Sequence, residues 1–221
     1  MTYCQPVRAA GRRSRTALTA ALVLTMFLGG AGFLAGHFRA AFPGSPPATR
    51  DFVQQGGAQG QGAPLSEADG LIPEGSTVFD SGIAAVANLD PDLFTALHLA
   101  AGHAADNGID IFITSGWRSL QYQEHLLQGA IAEYGSAEAA ARWVATAETS
   151  PHVSGDAVDV GPAHASAWLA EHGGSYGLCQ IYDNEPWHYE LRPAALHDGC
   201  PPRYSDPTQD PRMQRTPSDI S

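Results

Sequence analysis

A carboxylate in the middle of an apolar segment constrains this 221-residue chain more than any other feature. Asp159 lies in the apolar run AVDV, residues 157–160, which indicates a short strand. Burying an ionised carboxylate is costly unless a positive or hydrogen-bonding partner accompanies it. The fold must therefore bring a partner to Asp159, and a metal ion is one such partner.

Two histidines form a metal-binding pattern with Asp159. His152 precedes it in the stretch SPHVSGDAVD, residues 150–159, and Gly155 between them predicts a tight turn that lets the chain double back. His188 ends the later motif EPWH, residues 185–188. Three ligands of this kind with one open position are typical of a catalytic zinc site. His152, Asp159 and His188 are therefore the candidate metal ligands.

Two further charged residues are candidates for catalysis. Glu185 lies three residues before His188 and is placed to act as the general base that moves a proton from water to a leaving amine. Arg118 ends the motif SGWR, directly after the apolar run IDIFIT. Its planar guanidinium suits an oxyanion or a substrate carboxylate. Trp117 and Trp187 are expected either in the core or in the wall of a pocket.

Local patterns predict a mixture of helices and short strands. Asp90 is an expected N-cap with Pro91 at the first helical position, and Asn107-Gly108 is the expected end of that helix. The order lacks a regular βαβ rhythm, so the predicted class is α+β. The remaining helices are expected at 119–134, 136–147 and 163–172, and strands at 109–114, 157–160 and 187–191.

The first 75 residues indicate a membrane-targeting segment followed by a linker. A basic stretch, residues 1–15, precedes an uncharged apolar run, residues 16–36, which is long enough to cross a bilayer. We expect a single-pass anchor with an extracytoplasmic domain; a cleaved signal peptide and a secreted protein is the alternative. Residues 37–75 are expected to be a flexible linker, 76–200 the folded domain and 201–221 a disordered tail.

Charge and cysteine usage narrow the function further. The formal net charge of -11 argues against nucleic-acid binding, because phosphates would be repelled. Of the three cysteines, Cys179 and Cys200 both follow the apolar run and are expected outside the cytoplasm, where a disulfide persists. A disulfide between them is predicted; two buried free thiols are the alternative.

The motifs resemble those of the VanY-type D-alanyl-D-alanine carboxypeptidases, zinc peptidases related to VanX. The family pattern SGYR, SxHxxGxAxD and ExWH appears here in the same order as SGWR, SPHVSGDAVD and EPWH, and the resemblance covers about residues 109–191. Trp117 replaces the usual tyrosine. The resemblance implies a small central antiparallel sheet flanked by helices, shared with Hedgehog signalling domains.

The resemblance also implies roles for the matched residues. The zinc ligands fall on His152, Asp159 and His188, the base on Glu185 and the transition-state-stabilising arginine on Arg118. Candidate substrate-binding residues are Ser150 and Gln123, together with Ser115 and Trp187 from the matched motifs.

The implied reaction is removal of the terminal D-Ala from a peptidoglycan stem peptide. An L,D-carboxypeptidase and a peptidoglycan endopeptidase of the same fold are alternatives. A non-catalytic, zinc-containing wall-binding module is a third alternative, and the presence of Glu185 favours an enzyme over it. The expected partners are the wall substrate and, through the N-terminal helix, the membrane.

Overall fold

The computed structural model describes residues 64–214. The predicted basic N-terminus 1–15, the predicted anchor 16–36, the linker up to residue 63 and the last residues 215–221 lie outside the described part. Within residues 64–214, no helix combines the length and the apolar character needed to span a bilayer.

The domain is built on a four-stranded sheet whose strand order is β1-β2-β4-β3, with every neighbouring pair antiparallel. This architecture confirms the predicted α+β class with a small antiparallel sheet. The strands are β1 Phe112–Ser115, β2 Ala157–Gly161, β3 Leu178–Gln180 and β4 His188–Leu191. The α-helices are α1 Ala84–Ala87, α2 Pro91–Asp106, α3 Leu120–Tyr134, α4 Ala137–Ala140, α5 Pro151–Ser154, α6 Ala163–His172 and α7 Ala195–Asp198. Short 3-10 helices span Glu67–Asp69, Gly173–Tyr176, Pro207–Gln209 and Pro211–Gln214.

One face of the sheet packs on helices and the other carries polar residues. Side chains alternate along a strand, so Val158 and Val160 of β2 point away from Asp159 and enter the core. Tyr189 of β4 lies opposite Val158 and points the same way. The core on that side is completed by α2 and α6, whose contributing side chains include Leu93, Leu97, Ala100, Ala165 and Leu169. The opposite face is left for Asp159 and its neighbours.

Capping residues fix the helices as the sequence predicts. The Asp90 carboxylate accepts hydrogen bonds from the backbone N–H of Asp92 and Leu93 at 2.9 and 3.0 Å, and Pro91 begins α2. The Ser119 hydroxyl accepts from the Tyr122 N–H at 3.0 Å and starts α3. The predicted helix 163–172 and the predicted strands at 157–160 and 187–191 are also present to within one residue.

Two predicted elements are shorter than expected. The helix predicted at 136–147 is confined to Ala137–Ala140, because the chain turns there and lets Trp143 stack on Tyr134 with ring centroids 6.1 Å apart. The strand predicted at 109–114 begins only at Phe112, because the Ile109 N–H bonds back to the Ala104 carbonyl at 2.9 Å and closes the end of α2.

The folded part extends beyond both predicted boundaries. Residues 64–75, assigned to the flexible linker, include the helix Glu67–Asp69, and the Asp69 carboxylate accepts a hydrogen bond from Ser119 at 3.2 Å. Residues 201–214, assigned to the disordered tail, carry two 3-10 helices and a backbone bridge between Tyr204 and Tyr182. We call residues 201–214 the C-terminal segment. Its side chains form ion pairs with the sheet, which composition alone does not indicate.

Gly155 makes the predicted turn between His152 and β2. Its φ is +84°, in the left-handed region, and a Cβ at this position would lie 2.4 Å from the Asn88 carbonyl oxygen. The Gly155 carbonyl in turn accepts the Asp90 N–H at 2.9 Å. The turn therefore depends on glycine both for its backbone angle and for a close backbone contact.

We expect Gly155→Ala to destabilise the domain more than Gly135→Ala. Both glycines end a helix with positive φ, but a Cβ at Gly135 meets nothing within 4 Å. The left-handed angle alone costs about 1 kcal/mol at either site, and forced displacement of backbone at residue 155 adds roughly 1–3 kcal/mol. Urea unfolding of both variants measures the difference; equal losses of unfolding free energy would contradict the close-contact argument.

Candidate active site

The strand register brings three of the predicted residues into one row across the sheet. Asp159 on β2 is paired with Ser115 on β1 and with His188 on β4. Paired residues in antiparallel strands project to the same face, so these side chains are neighbours. His152 reaches the same place from α5, the single-turn helix that precedes the Gly155 turn. The structure thus brings together the three candidate ligands predicted from the sequence.

The three ligand atoms form a small triangle. The Asp159 Oδ1 atom lies 3.1 Å from His188 Nδ1 and 3.4 Å from His152 Nε2, and the two histidine nitrogens are 3.3 Å apart. All three side chains are buried. Ligands about 2.0–2.1 Å from a tetrahedral zinc ion lie about 3.4 Å from one another. The spacing of these side chains therefore fits zinc.

Hydrogen bonds on the far side of each ring orient the ligand nitrogens. His152 Nδ1 is 2.9 Å from the Gly116 carbonyl oxygen, which can only accept, so the ring donates there and presents Nε2 to the triangle. His188 Nε2 lies 3.2 Å from Glu190 Oε1, so its Nδ1 faces the triangle. A carboxylate or carbonyl behind each histidine is the usual support of a metal site.

The electrostatics of the triangle favour a cation. Burial would raise the pKa of Asp159, but His152 and His188 hold that pKa well below its usual range. Burial and the charge of Arg118 lower the pKa of His152. Burial opposes protonation of His188 as well, yet its hydrogen bonds to Asp159 and Glu190 raise its pKa to about 10. A metal ion would take the place of the proton on His188 Nδ1.

Arg118 is held by three side-chain acceptors beside the triangle. Its Nε donates to Ser115 Oγ at 2.8 Å, Nη1 to Gln123 Oε1 at 3.0 Å and Nη2 to Asp159 Oδ2 at 3.0 Å. Gln123 is itself fixed by a bond from its Nε2 to the Ala145 carbonyl at 2.8 Å. Ser115 and Gln123, predicted to bind substrate, thus lie where they orient Arg118. Each Nη keeps one N–H for another acceptor.

Glu185 lies next to the triangle and is nearly free of hydrogen-bond partners. Its Oε2 is 3.9 Å from His188 Nδ1, and its buried Oε1 has no hydrogen-bond partner among residues 64–214. Burial raises the pKa of Glu185 to about 7, opposed in part by the charge of His188. A carboxyl group with a pKa near neutrality and an open oxygen suits proton transfer.

A cavity of about 350 Å³ opens onto these groups. Arg118, Glu185 and the three candidate ligands line it, and so do the predicted substrate residues Gln123, Ser150 and Trp187. The Ser150 hydroxyl makes no capping hydrogen bond to α5 although Ser150 is its N-cap. Among the other lining residues are Leu126, Tyr134, Trp143, Val144, Pro207 and Met213, which give the cavity an apolar wall.

The family model for VanY, described as D-alanyl-D-alanine carboxypeptidase, matches residues 87–194. This range holds every side chain of the triangle together with Arg118 and Glu185. Residues 87–194, just under half of the chain, are thus similar to the VanY family.

The chain is also similar to individual proteins. A D-alanyl-D-alanine carboxypeptidase of Enterococcus faecalis is 32% identical over 123 residues, which are 44% of this chain and 43% of that protein. This chain thus matches less than half the length of that curated relative.

Solved structures give likenesses of the same kind. The VanY D,D-pentapeptidase of a VanB-type vancomycin resistance cassette, solved with Zn(II), is 26% identical, with a TM-score of 0.44 and coverage of 47% of this chain and 72% of that one. The LdcB LD-carboxypeptidase is 21% identical, with a TM-score of 0.46 and coverage of 59% and 72%.

The sequence analysis missed residues that support the candidate site from outside its motifs. Glu190 was not selected from the sequence, yet it is fully buried and contacts His188. Burial opposes its ionisation, but hydrogen bonds from His188 and Arg212 keep the pKa of Glu190 well below its usual value. The spacing of His188 and Glu190 on one strand face is the signal that points to it. No comparable spacing in the sequence points to Tyr182, Asp210 or Arg212.

The predicted disulfide between Cys179 and Cys200 is present. It joins β3 to the residue that immediately precedes the C-terminal segment, and it encloses Glu185 and His188 in the sequence. Its two cysteines are 21 residues apart. The bond therefore ties the start of the C-terminal segment to the edge strand β3.

We expect His152→Ala to remove stoichiometric zinc from the purified protein, since one corner of the triangle is lost. His98→Ala is the matched control, because His98 is exposed on α2 and its ring contacts Phe79 with centroids 4.7 Å apart. Metal content is measured after gel filtration in a buffer that contains a weak chelator. A His152→Ala protein that retains as much zinc as the control would place the metal elsewhere.

We expect loss of the disulfide to lower both stability and metal affinity. A loop of this length contributes about 3 kcal/mol in the chain-entropy model. Chemical unfolding and a zinc competition titration are compared for the oxidised protein and the Cys179→Ser, Cys200→Ser double variant. Unchanged zinc affinity in the folded double variant would show that the bond stabilises the fold without fixing the ligands.

Proposed function

We propose that this chain is a zinc-dependent D-alanyl-D-alanine carboxypeptidase that removes the terminal D-Ala from peptidoglycan stem peptides. The observation that carries the proposal is the meeting of three buried ligand atoms, a guanidinium and an open carboxyl group in one cavity. The match of residues 87–194 to the VanY family model supports the substrate class.

Zinc in the triangle would supply Lewis-acid chemistry, polarising the scissile carbonyl and making a water molecule acidic enough to react near neutral pH. Glu185 Oε1 is the acceptor for the proton of the attacking water, since no other described group bonds to it. The same carboxyl group then returns the proton to the departing amine of D-Ala. Burial raises the pKa of Glu185 to about 7 without the metal, so the carboxyl group can exist in both protonation states that the transfer requires.

Arg118 supplies fixed positive charge to the reacting group. Its bonds to Ser115, Gln123 and Asp159 hold the guanidinium plane before substrate arrives. The remaining N–H groups on Nη1 and Nη2 can then receive the oxyanion or the terminal carboxylate without reorganisation. A donor that is already oriented stabilises developing charge more than a flexible one.

The site is proposed to work outside the cytoplasm. The basic stretch 1–15 and the apolar run 16–36 favour an N-terminal anchor with the folded domain facing the wall. The disulfide between Cys179 and Cys200 agrees with an oxidising compartment.

The decisive assay supplies the purified protein with a muropeptide pentapeptide ending in D-Ala-D-Ala and follows product masses. Loss of one alanine that is blocked by a chelator and restored by zinc is the expected result. A tetrapeptide and a cross-linked dimer are digested in parallel. Cleavage of the tetrapeptide alone would reassign the protein to the L,D-carboxypeptidases, and cleavage of the dimer alone would reassign it to the endopeptidases. Stoichiometric zinc without any product would instead favour the binding module.

We expect Glu185→Gln to lower turnover of the pentapeptide by roughly 10²–10⁴-fold, the usual contribution of a general base. Zinc content should stay stoichiometric, because Glu185 is not a corner of the triangle. Glu171→Gln is the matched control, since that side chain is 78% exposed. Undiminished turnover in Glu185→Gln would assign proton transfer to another group.

A further inference from the structure

The C-terminal segment, residues 201–214, lies beyond the VanY match yet is attached to the metal-bearing strands. The disulfide fixes its start at Cys200. The Tyr204 N–H then donates to the Ile181 carbonyl at 2.9 Å, and the Tyr204 carbonyl accepts from Asp183 N–H at 2.8 Å. These bonds extend the chain past β3 and bring the final 3-10 helix, Pro211–Gln214, against β4.

Arg212 in that final helix grips Glu190 with both arms of its guanidinium. Nη1 lies 2.6 Å from Glu190 Oε2, and Nη2 lies 3.1 Å from Oε1. Oε1 is the oxygen that faces His188 Nε2 at 3.2 Å. Arg192 also pairs with Glu190, but through Oε2 at 2.6 Å. Within the described residues, Arg212 is thus the cation that holds the oxygen directed at the metal ligand.

A second path connects the C-terminal segment with the same imidazole. Asp210 accepts a hydrogen bond from the Tyr182 hydroxyl at 3.0 Å and also pairs with Arg212. The Tyr182 ring in turn lies over His188, with centroids 5.2 Å apart. Two contacts from one short segment therefore converge on His188. Pro207 and Met213 of the segment line the cavity as well.

We propose that Arg212 is a positioning residue for the metal ligand His188 and that the C-terminal segment completes the candidate active site. A bidentate guanidinium fixes the carboxylate plane of Glu190, and that plane fixes the rotation of the imidazole. This role for Arg212 rests on the part of the proposed function that assigns zinc to the triangle, and it does not depend on which substrate is cleaved. A protein that binds zinc and cleaves no muropeptide would contradict the proposed reaction and leave this proposal intact.

The test compares Arg212→Lys with Arg203→Lys in the full-length protein. Lysine keeps the positive charge beside Glu190 and removes the fork. Arg203 lies in the same segment but pairs with the surface residue Asp183 at 2.6 Å, so its replacement is the matched control. The readouts are zinc affinity by chelator competition, the visible absorption spectrum after cobalt substitution, and the urea midpoint in the presence of chelator.

We expect Arg212→Lys to weaken zinc binding about tenfold, as the loss of an outer support of a ligand does. Its cobalt spectrum should also shift, because the ligand field follows the orientation of His188. Arg203→Lys should match the wild type in both. Zinc affinity and a cobalt spectrum of Arg212→Lys equal to those of the control would overturn the proposal, and so would a lowered urea midpoint with an unchanged spectrum.

If Arg212→Lys does not fold, the double variant Arg212→Met with Glu190→Gln decides the question. It removes the buried carboxylate together with its partner, so no unpaired charge at residue 190 burdens the fold. The single variant Glu190→Gln is its reference, because that change alone alters the group that contacts His188. Without the guanidinium to orient the amide, the double variant should bind zinc more weakly than Glu190→Gln and show a further shift of the cobalt spectrum. Zinc affinity and a spectrum equal to those of Glu190→Gln would show that Arg212 serves the fold alone.

Discussion

The buried charge of Asp159 is the constraint on which the rest of the site depends. It lies on strand β2 and is almost completely buried, so the fold must neutralise its charge. Arg118 takes one carboxylate oxygen and the two histidines approach the other. Arg118 and both histidines each bond to a further acceptor on the side away from Asp159. The polar face of the sheet is therefore one network of contacts centred on this carboxylate.

The antiparallel register of the sheet places the partners of Asp159 beside it. The residues opposite Asp159 are Ser115 and His188, and each carries a polar side chain to the same face. A shift of one residue in either pairing would move that side chain into the core, where Val158 and Val160 now pack. The register that buries the apolar side chains is therefore the same register that aligns the polar ones. Asp159 and His188 are brought together by paired strands and not by a flexible loop.

The sequence predicts most of this site because its ligands belong to short motifs with fixed spacing. His152, Asp159, His188, Arg118 and Glu185 all follow from three such motifs, and the helices follow from their caps. Ser115 and Gln123 show the limit: the motif marks them as functional, but only the structure shows that they hold Arg118. Arg212 and Asp210 lie in a polar, proline-rich segment without periodicity. Their ion pairs depend on distant partners, so local patterns predicted disorder there.

The charges near His188 explain why a divalent cation and a base coexist in so small a volume. Asp159, Glu190 and Asp210 pair with Arg118 or with Arg192 and Arg212, while no guanidinium from residues 64–214 pairs with Glu185. The proton that His188 holds at a pKa of about 10 offsets that extra carboxylate. A divalent cation displacing this proton brings one more positive charge to within reach of Glu185. That charge favours the ionised carboxylate, which is the form that accepts a proton from water.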